Sequence, residues 1–361
     1  MSAPTRLPDR TAAAAPQIRR RRALRVGPFS LPYERRTVLV TIGLAAAAVV
    51  VVVTAAFLGD FPLPAGDVVA SLLGRGTQAT DFVVLDLRVA RALCAVAIGA
   101  ALGASGAVFQ SISRNPLGSP DIIGFTAGSA TGAVVAITVL NVSGLAVAGG
   151  ALIGGLCTAL LVYLLSVGGR TLGYRLILVG IGVNALLWAV NYYLLTAARL
   201  EDALTAQVWL VGSLNGRSWE QLWPVLVVLV IAVPLLMMLA RPLTLLEMGE
   251  DAAAALGVRG NRVRLAVVVL GVLLAAVAVA TAGMITFVAL AAPQLARRLT
   301  GAATVGVLSS ALMGGFLLLT SDLVAQRLFA PVQFPVGVAT GAVGGLYLMW
   351  LLLSEWKRGR G

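Results

Sequence analysis

The residues whose types could do chemistry are few. Ser105 stands in Gly-Ala-Ser-Gly, the form that surrounds a nucleophilic serine, but such a serine needs a general base, usually histidine, and the chain has none. Its one lysine, Lys357, lies in "SEWKRGRG", so a G-x-x-x-x-G-K-[ST] phosphate loop and ATP hydrolysis by that route are excluded. The two cysteines, Cys94 and Cys157, both sit in apolar runs, where cysteine serves as a small packing residue, and no disulfide framework is indicated. Without histidine they also leave no ligand set for a bare transition metal. What remains polar inside the apolar runs is neutral. In "LVGIGVNALLWAVNYYLL", Asn184, Trp188 and Asn191 fall at i, i+4 and i+7 and share one helical face. The two amides either line a wet pathway or bond to neighbouring helices. Gln110, near the end of another apolar run, is a further pathway candidate.

The elements that must position these residues are set by composition. The 361 residues are 59% hydrophobic and 12% charged, where soluble domains carry about 25% charged residues. With a mean hydropathy of +0.95, the chain is an all-α integral membrane protein. A bilayer crossing needs roughly 20 apolar residues, and ten runs qualify: about 37–57, 90–111, 122–140, 144–166, 175–198, 220–240, 264–283, 285–297, 306–325 and 335–354. The eighth is short, and only "TAGMIT" parts it from the seventh. With ten helices and both termini in the cytoplasm, the cytoplasmic segments hold 21 Lys/Arg and the external ones 6, as the positive-inside rule requires. Residues 1–36 are then a basic, disordered cytoplasmic tail, 37–356 a single ten-helix domain, and 357–361 a second cytoplasmic tail. The net charge of +12 comes from short arginine clusters between apolar runs, with no basic stripe for nucleic acid. All carboxylates fall in tails, loops or helix ends, which disfavours an ion-coupled secondary transporter.

Glycines at four-residue spacing, Gly99/Gly103, Gly124/Gly128/Gly132, Gly150/Gly154 and Gly337/Gly341, supply small-xxx-small faces for close helix packing. Between the second and third runs, "SRNPLGSPD" carries Asn115, Pro116 and Pro120; the prolines force a helix–break–helix, and Asp121 suits the positive end of the helix that follows. The loop 241–264, "RPLTLLEMGEDAAAALGVRGNRVR", has an Ala/Glu-rich centre that predicts a helix from Glu247 to Leu256, stopped by Gly257 in a left-handed cap. Such a helix is either a knob for a partner or a solvated connector. On the outer side, where Lys/Arg are scarce, Arg88 and Arg91 stand three residues apart. They either snorkel to the interface or pair with carboxylates on a partner, for which the planar guanidinium fork is suited.

"MGEDAAAALGV" is similar to the L-G-E-x-x-A-x-x-L-G-V coupling segment of FecCD-type permeases, the membrane subunits of ATP-driven importers for ferric siderophores, haem and cobalamin. The likeness continues in "LRVARALCAVAIGAALGASGAVFQSISRNPLGSPDIIGFTAGSATGA", "VWLVGSLNGRSW", "AGMITFVALAAPQLAR" and "FPVGVATGAVGG", in family order. Three positions depart: Gln294 replaces the common His, Ala90 the Pro of R-L-P-R, and Gln326 the Arg of D-x-x-A-R, with Arg327 following. The resemblance implies a type II ABC importer permease that moves an iron–siderophore chelate by alternating access, with cobalamin or haem as other cargoes. It implies as partners a second permease subunit, identical or not, two ATP-binding cassette subunits and an extracytoplasmic binding protein, with no cofactor in this chain and ATP and magnesium in the cassettes. By the same resemblance Gly249, Glu250, Ala253, Leu256 and Gly257 contact the ATPase. Arg88 and Arg91 hold the binding protein, with Arg327 in place of the arginine missing at Gln326, and the turn at Asn115, Pro116 and Pro120 lies near the inner mouth.

Overall fold

The chain is described by a computed structural model covering residues 22–26, 29–59, 61–166, 172–302, 304–328 and 334–358. Every one of the ten apolar runs forms a helix. They are α1 (Arg35–Phe57), α4 (Ala90–Ser113), α5 (Phe125–Thr138), α6 (Leu145–Ser166), α7 (Leu172–Ala197), α9 (Trp219–Glu247), α11 (Gly260–Ala282), α12 (Val288–Thr300), α13 (Val307–Leu328) and α14 (Val336–Arg358). Among the described residues, 7 helices are long and apolar enough to cross a membrane. Short helices fill the connections: α2 (Ala65–Leu72), α3 (Gln78–Asp81), α8 (Leu200–Val211) and α10 (Glu250–Ala255), with a π-helical stretch from Phe82 to Val89 running into α4. α8 was not expected from the apolar runs, although Glu201 and Asp202 in its first turn suit a helix start.

Before α1, Arg22–Val26 pairs antiparallel with Phe29–Tyr33, with Leu24 in register with Leu31 and Val26 with Phe29. α1 then takes in Arg35 and Arg36, and Arg36 donates to the Leu299 carbonyl at 2.8 Å, supplying a cation to the negative end of α12.

α4 and α13 form the tightest packed pair, and glycine is the reason. A Cβ on Gly99 would lie 2.3 Å from the Gly314 carbonyl oxygen, and one on Gly103 would lie 2.2 Å from that of Ser310. The second strip, Ser310 and Gly314, keeps the same small-xxx-small spacing. Gly132 meets the Gly150 carbonyl of α6 in the same way, at 2.1 Å. Such approaches replace the missing hydrophobic drive between helices in lipid with van der Waals contact. Gly124 differs, because at φ +88° it caps the start of α5 in a left-handed conformation.

α5 and α12, with 14 and 13 residues, are about 20 Å long, short of a hydrocarbon core of about 30 Å. Irregular chain makes up the difference. It precedes α5 at residues 114–124 and α12 at 283–287, and it is buried in protein at Ser119, Ile123, Met284 and Ile285, the only setting in which unwound backbone is tolerated at membrane depth. Three breaks meet on the outer side of α11: Ser213 donates to Ala282 at 2.7 Å, Met284 to Trp209 at 3.1 Å and Gly337 to Gly212 at 3.2 Å.

Candidate functional site

At the end of the bundle that the loop charges predict to be external, the π-helical turns and the start of α4 deliver Arg88 and Arg91 to a cavity of about 270 Å³ between α1, α4, α13 and the chain before α9. The resemblance implies that both arginines hold a binding protein; within the chain each also makes contacts of its own. Arg91 makes a bidentate pair with Asp322 of α13, Nε to Oδ2 at 2.9 Å and Nη2 to Oδ1 at 2.8 Å. Arg88 donates to the Ala56 carbonyl at 2.9 Å and to that of Phe61, lying so close to Gly59 that a Cβ there would meet its Nε at 2.3 Å. The last turn of α1 and the chain after it leave carbonyls that need donors, and Arg88 supplies them at Ala56 and Phe61. Gln326 donates to the same Asp322 carboxylate at 2.7 Å, so this residue completes the carboxylate's shell. Arg327, one position on, is exposed in the last turn of α13.

Arg217, which the sequence reading passed over, lies in the wall of this cavity and of a second one, about 260 Å³, lined by Thr205, Trp209, Ser213 and Ala282. Its guanidinium stands 5.8 Å from the centre of the Trp209 ring. Partial burial lowers its pKa from the ordinary value, yet a guanidinium stays protonated.

Midway along the bundle the structure joins residues that were read separately. The Asp121 backbone carbonyl faces the Asn184 amide at 3.5 Å. Asp121 Oδ1, Asn184 Oδ1 and both amide atoms of Asn191 are buried without a hydrogen-bond partner. Asp121 lies where it was expected, in the irregular chain before α5, whereas Asp322 stands within α13 and is 2% exposed. Trp188 packs on the same face of α7, its ring 5.7 Å from that of Tyr192. Gln110, a further pathway candidate, is buried and donates to the Leu290 carbonyl of α12 at 2.9 Å. Ser105 is likewise structural, bonding to the Gly271 carbonyl at 2.7 Å.

On the inner side the helix expected over Glu247–Leu256 is split. α9 runs on to Glu247, and Gly249 at φ +133° breaks the chain before the six residues of α10. Gly257 at φ +78° ends α10. Val258 N donates to Ala253 O at 2.9 Å and Gly257 N to Ala254 O at 2.9 Å, the paired bonds of a Schellman stop. Ala253, expected to touch a partner, is fully buried in its own chain. The apolar side chains presented here are Met248 and Leu256, 74% and 66% exposed.

The inner turn connects to this knob. Arg114 ends α4 at φ +50° and donates to the Leu246 carbonyl at the foot of α9. Asn115 Oδ1 accepts from Leu117 N at 2.9 Å, and the Pro116 carbonyl accepts from Gln294 of α12 at 2.7 Å. Pro120 O accepts from Phe125 N at 3.0 Å, closing the turn onto α5. Gln294 thus keeps a donor where histidine is common in the resembled pattern.

A bundle of apolar helices with buried unwound segments, buried amides at mid-depth and a protruding knob defines a multi-pass permease of the cytoplasmic membrane. Residues 47–354 match the FecCD transport family, and the chain belongs to that family. It is 44% identical over 325 residues to the ferric enterobactin transport system permease protein FepG of Escherichia coli, covering 90% of this chain and 98% of that one. It is 36% identical to the probable siderophore transport system permease protein YfhA of Bacillus subtilis, covering 87% and 93%. An inward-facing structure described as a metal-chelate-type ABC transporter superposes with a TM-score of 0.79 at 30% identity, covering 88% of this chain and 99% of that one.

Proposed function

We propose that this chain is the membrane-spanning subunit of an ATP-driven importer that carries a ferric siderophore across the cytoplasmic membrane by alternating access. In this reading ten helices span the bilayer with both termini in the cytoplasm. The chain pairs with a second permease subunit, two ATP-binding cassette subunits bind below, and an extracytoplasmic binding protein docks above. ATP and magnesium belong to the cassettes, and this chain holds no cofactor of its own.

The observation that carries the reading is the knob at α10, a short helix fixed by a Schellman stop with Met248 and Leu256 exposed beside it. Exposed apolar side chains on a rigid turn are the type of surface that fills a partner's pocket. Gly249, Glu250, Leu256 and Gly257 are assigned to this contact, and Met248 is added. Asn184, Trp188 and Asn191 are assigned to the pathway. Outer docking is assigned to Arg327, with Arg88 and Arg91 shaping the surface around it. The cargo follows from the relatives, which are named for ferric enterobactin and siderophore transport.

Deletion of the gene in iron-starved cells, with uptake of radioiron as ferric siderophore, haem and labelled cobalamin measured side by side, tests the reading. Loss of ferric siderophore uptake alone is expected. Loss of haem or cobalamin uptake instead would replace the cargo while leaving the permease.

A further inference from the structure

At the end of the bundle that carries the inner turn, α1, α4, α9 and the chain leading into α13 enclose a cavity of about 480 Å³. Among the described residues none that lines it is charged, and much of its wall is Val38, Ile42, Met237, Leu243, Val307 and Leu308. Three of its hydroxyls are already taken by the local backbone: Thr41 donates to Thr37 O at 2.7 Å, Thr244 to Ala240 O at 3.0 Å and Ser309 to Gly306 O at 3.1 Å. Hydroxyls bonded back to their own segment ask little of a guest, so the space suits hydrocarbon and disfavours an anionic chelate. Ile42, Met237 and Leu308 are exposed, so the cavity opens on the apolar outside of the bundle.

Positive charge borders that opening. On α1, Arg35 precedes Val38 and Ile42 by three and seven positions, and on α9 Arg241 follows Met237 by four and precedes Thr244 by three. Each therefore shares the stripe that its helix presents to the cavity. Both arginines are exposed, and within the described residues neither has a hydrogen bond or an ion pair. Arg36 differs, because the Arg298 and Leu299 carbonyls hold it, and Glu34, next to Arg35, has a partner of its own. An apolar space beside two open guanidinium groups is complementary to a molecule with a hydrocarbon chain and an anionic head. A guanidinium fork grips phosphate oxygens, and basic pockets between spanning helices on the cytoplasmic side suit anionic headgroups.

We propose that this cavity is a site for one anionic phospholipid of the inner leaflet, with an acyl chain between α1, α4 and α9 and its phosphate against Arg35 and Arg241. The leaflet follows from the orientation proposed above, whereas the lipid is independent of the cargo. Arg241 stands six residues before α9 ends at Glu247, so a headgroup held there braces the stem from which the knob projects.

The test is native mass spectrometry of the detergent-purified importer titrated with phosphatidylglycerol or phosphatidylcholine of identical chains, read as the affinity of the tightest lipid. The wild type should prefer phosphatidylglycerol by about tenfold or more. Arg35→Gln/Arg241→Gln should bring it down to the phosphatidylcholine value, and Arg35→Lys/Arg241→Lys, which keeps the charge, should keep most of the preference. Arg259→Gln/Arg262→Gln, an equal loss of exposed charge beyond the knob, should leave the preference intact. Ala240→Phe, at a half-buried position of the wall, should fill the space and abolish tight binding of both lipids. A wild type without preference overturns the site. So does equal loss in the two glutamine pairs, which would make the attraction a diffuse field. Tight binding retained in Ala240→Phe also overturns it, because it would leave a headgroup patch with no chain site. These outcomes are read without cargo and leave the uptake test of the proposed function untouched.

Discussion

Removing Asp322 tests whether the outer arginines serve the fold. The carboxylate is 2% exposed and accepts both forks of Arg91 at 2.8 and 2.9 Å. Gln326 contributes a third bond at 2.7 Å. Asp322→Ala strands a guanidinium whose side chain is 14% exposed, with little water to replace the lost partner. Breaking a buried pair from one side costs about 3–5 kcal/mol. The remaining access to water places this pair at the lower end, about 3 kcal/mol, with Arg91→Leu costing a similar amount. The double variant Arg91→Leu/Asp322→Leu removes both charges and fills the space, and should recover most of the loss, because an apolar pair of similar volume often matches a buried ion pair. The assay is equilibrium unfolding in mixed micelles against increasing denaturing detergent, read as a double-mutant cycle with Asp322→Leu as the second single variant; single costs of about 3 kcal/mol and a double within about 1 kcal/mol of wild type give a coupling of about 5 kcal/mol. The reasoning is refuted if both single variants stay within about 0.5 kcal/mol of wild type while binding-protein affinity falls. Arg91 would then exist for the partner, as the sequence first suggested.

Gly257→Pro removes the N–H that bonds Ala254 at 2.9 Å and forbids the φ of +78°, so it should leave insertion intact and cut uptake per ATP hydrolysed at least about tenfold; normal coupling ratios in vesicles would contradict the knob. Arg114→Ala frees the Leu246 carbonyl and should raise basal ATP hydrolysis without substrate, measured in the assembled importer; an unaltered basal rate would leave Arg114 as a simple helix cap. Gly99→Val sets side-chain carbon where the Gly314 carbonyl stands at 2.3 Å and should destabilise the bundle by about 3 kcal/mol or prevent folding, whereas Gly43→Val, with nothing within 4 Å of its Cβ, should not. In a background lacking Cys94 and Cys157, cysteine at Asn184 should react with a small water-soluble thiol reagent during turnover, and cysteine at lipid-facing Ile181 should not; equal protection of both would make the amides packing groups.

Apolar run length and loop charge made the helices legible, because in a bilayer those two quantities are what determine a span. The glycine faces were legible for the same reason, although the partner strip on α13 was harder to see with Ser310 in place of a glycine. Other features depended on what comes together in space. Nothing local says that Arg91 meets Asp322, more than two hundred residues away, or that the Asn184 amide faces the Asp121 carbonyl. The coupling helix was read as one piece because Ala and Glu favour helix, and Gly249 overrode that preference with a backbone angle. The burial of Ala253 beneath the knob is likewise set by the fold around it and by nothing in its local sequence. Arg217 was missed because the segment around it was read as a resemblance, and its lack of a carboxylate partner is visible only in three dimensions.

The central claim is that ATP in partner subunits drives a ferric chelate through this chain. It is tested most directly in sealed vesicles holding the chain with its cassette subunits and binding protein. Uptake of radioiron as ferric siderophore is followed with ATP and without an ion gradient, then with a proton or sodium gradient and without ATP. Accumulation that needs ATP, ignores the gradient and stops when Gly257→Pro replaces the wild type is the predicted result. Accumulation driven by the gradient with no ATP present would contradict the account and make the chain an ion-coupled transporter, with Asp121, whose Oδ1 is buried without a hydrogen-bond partner, as its first suspect.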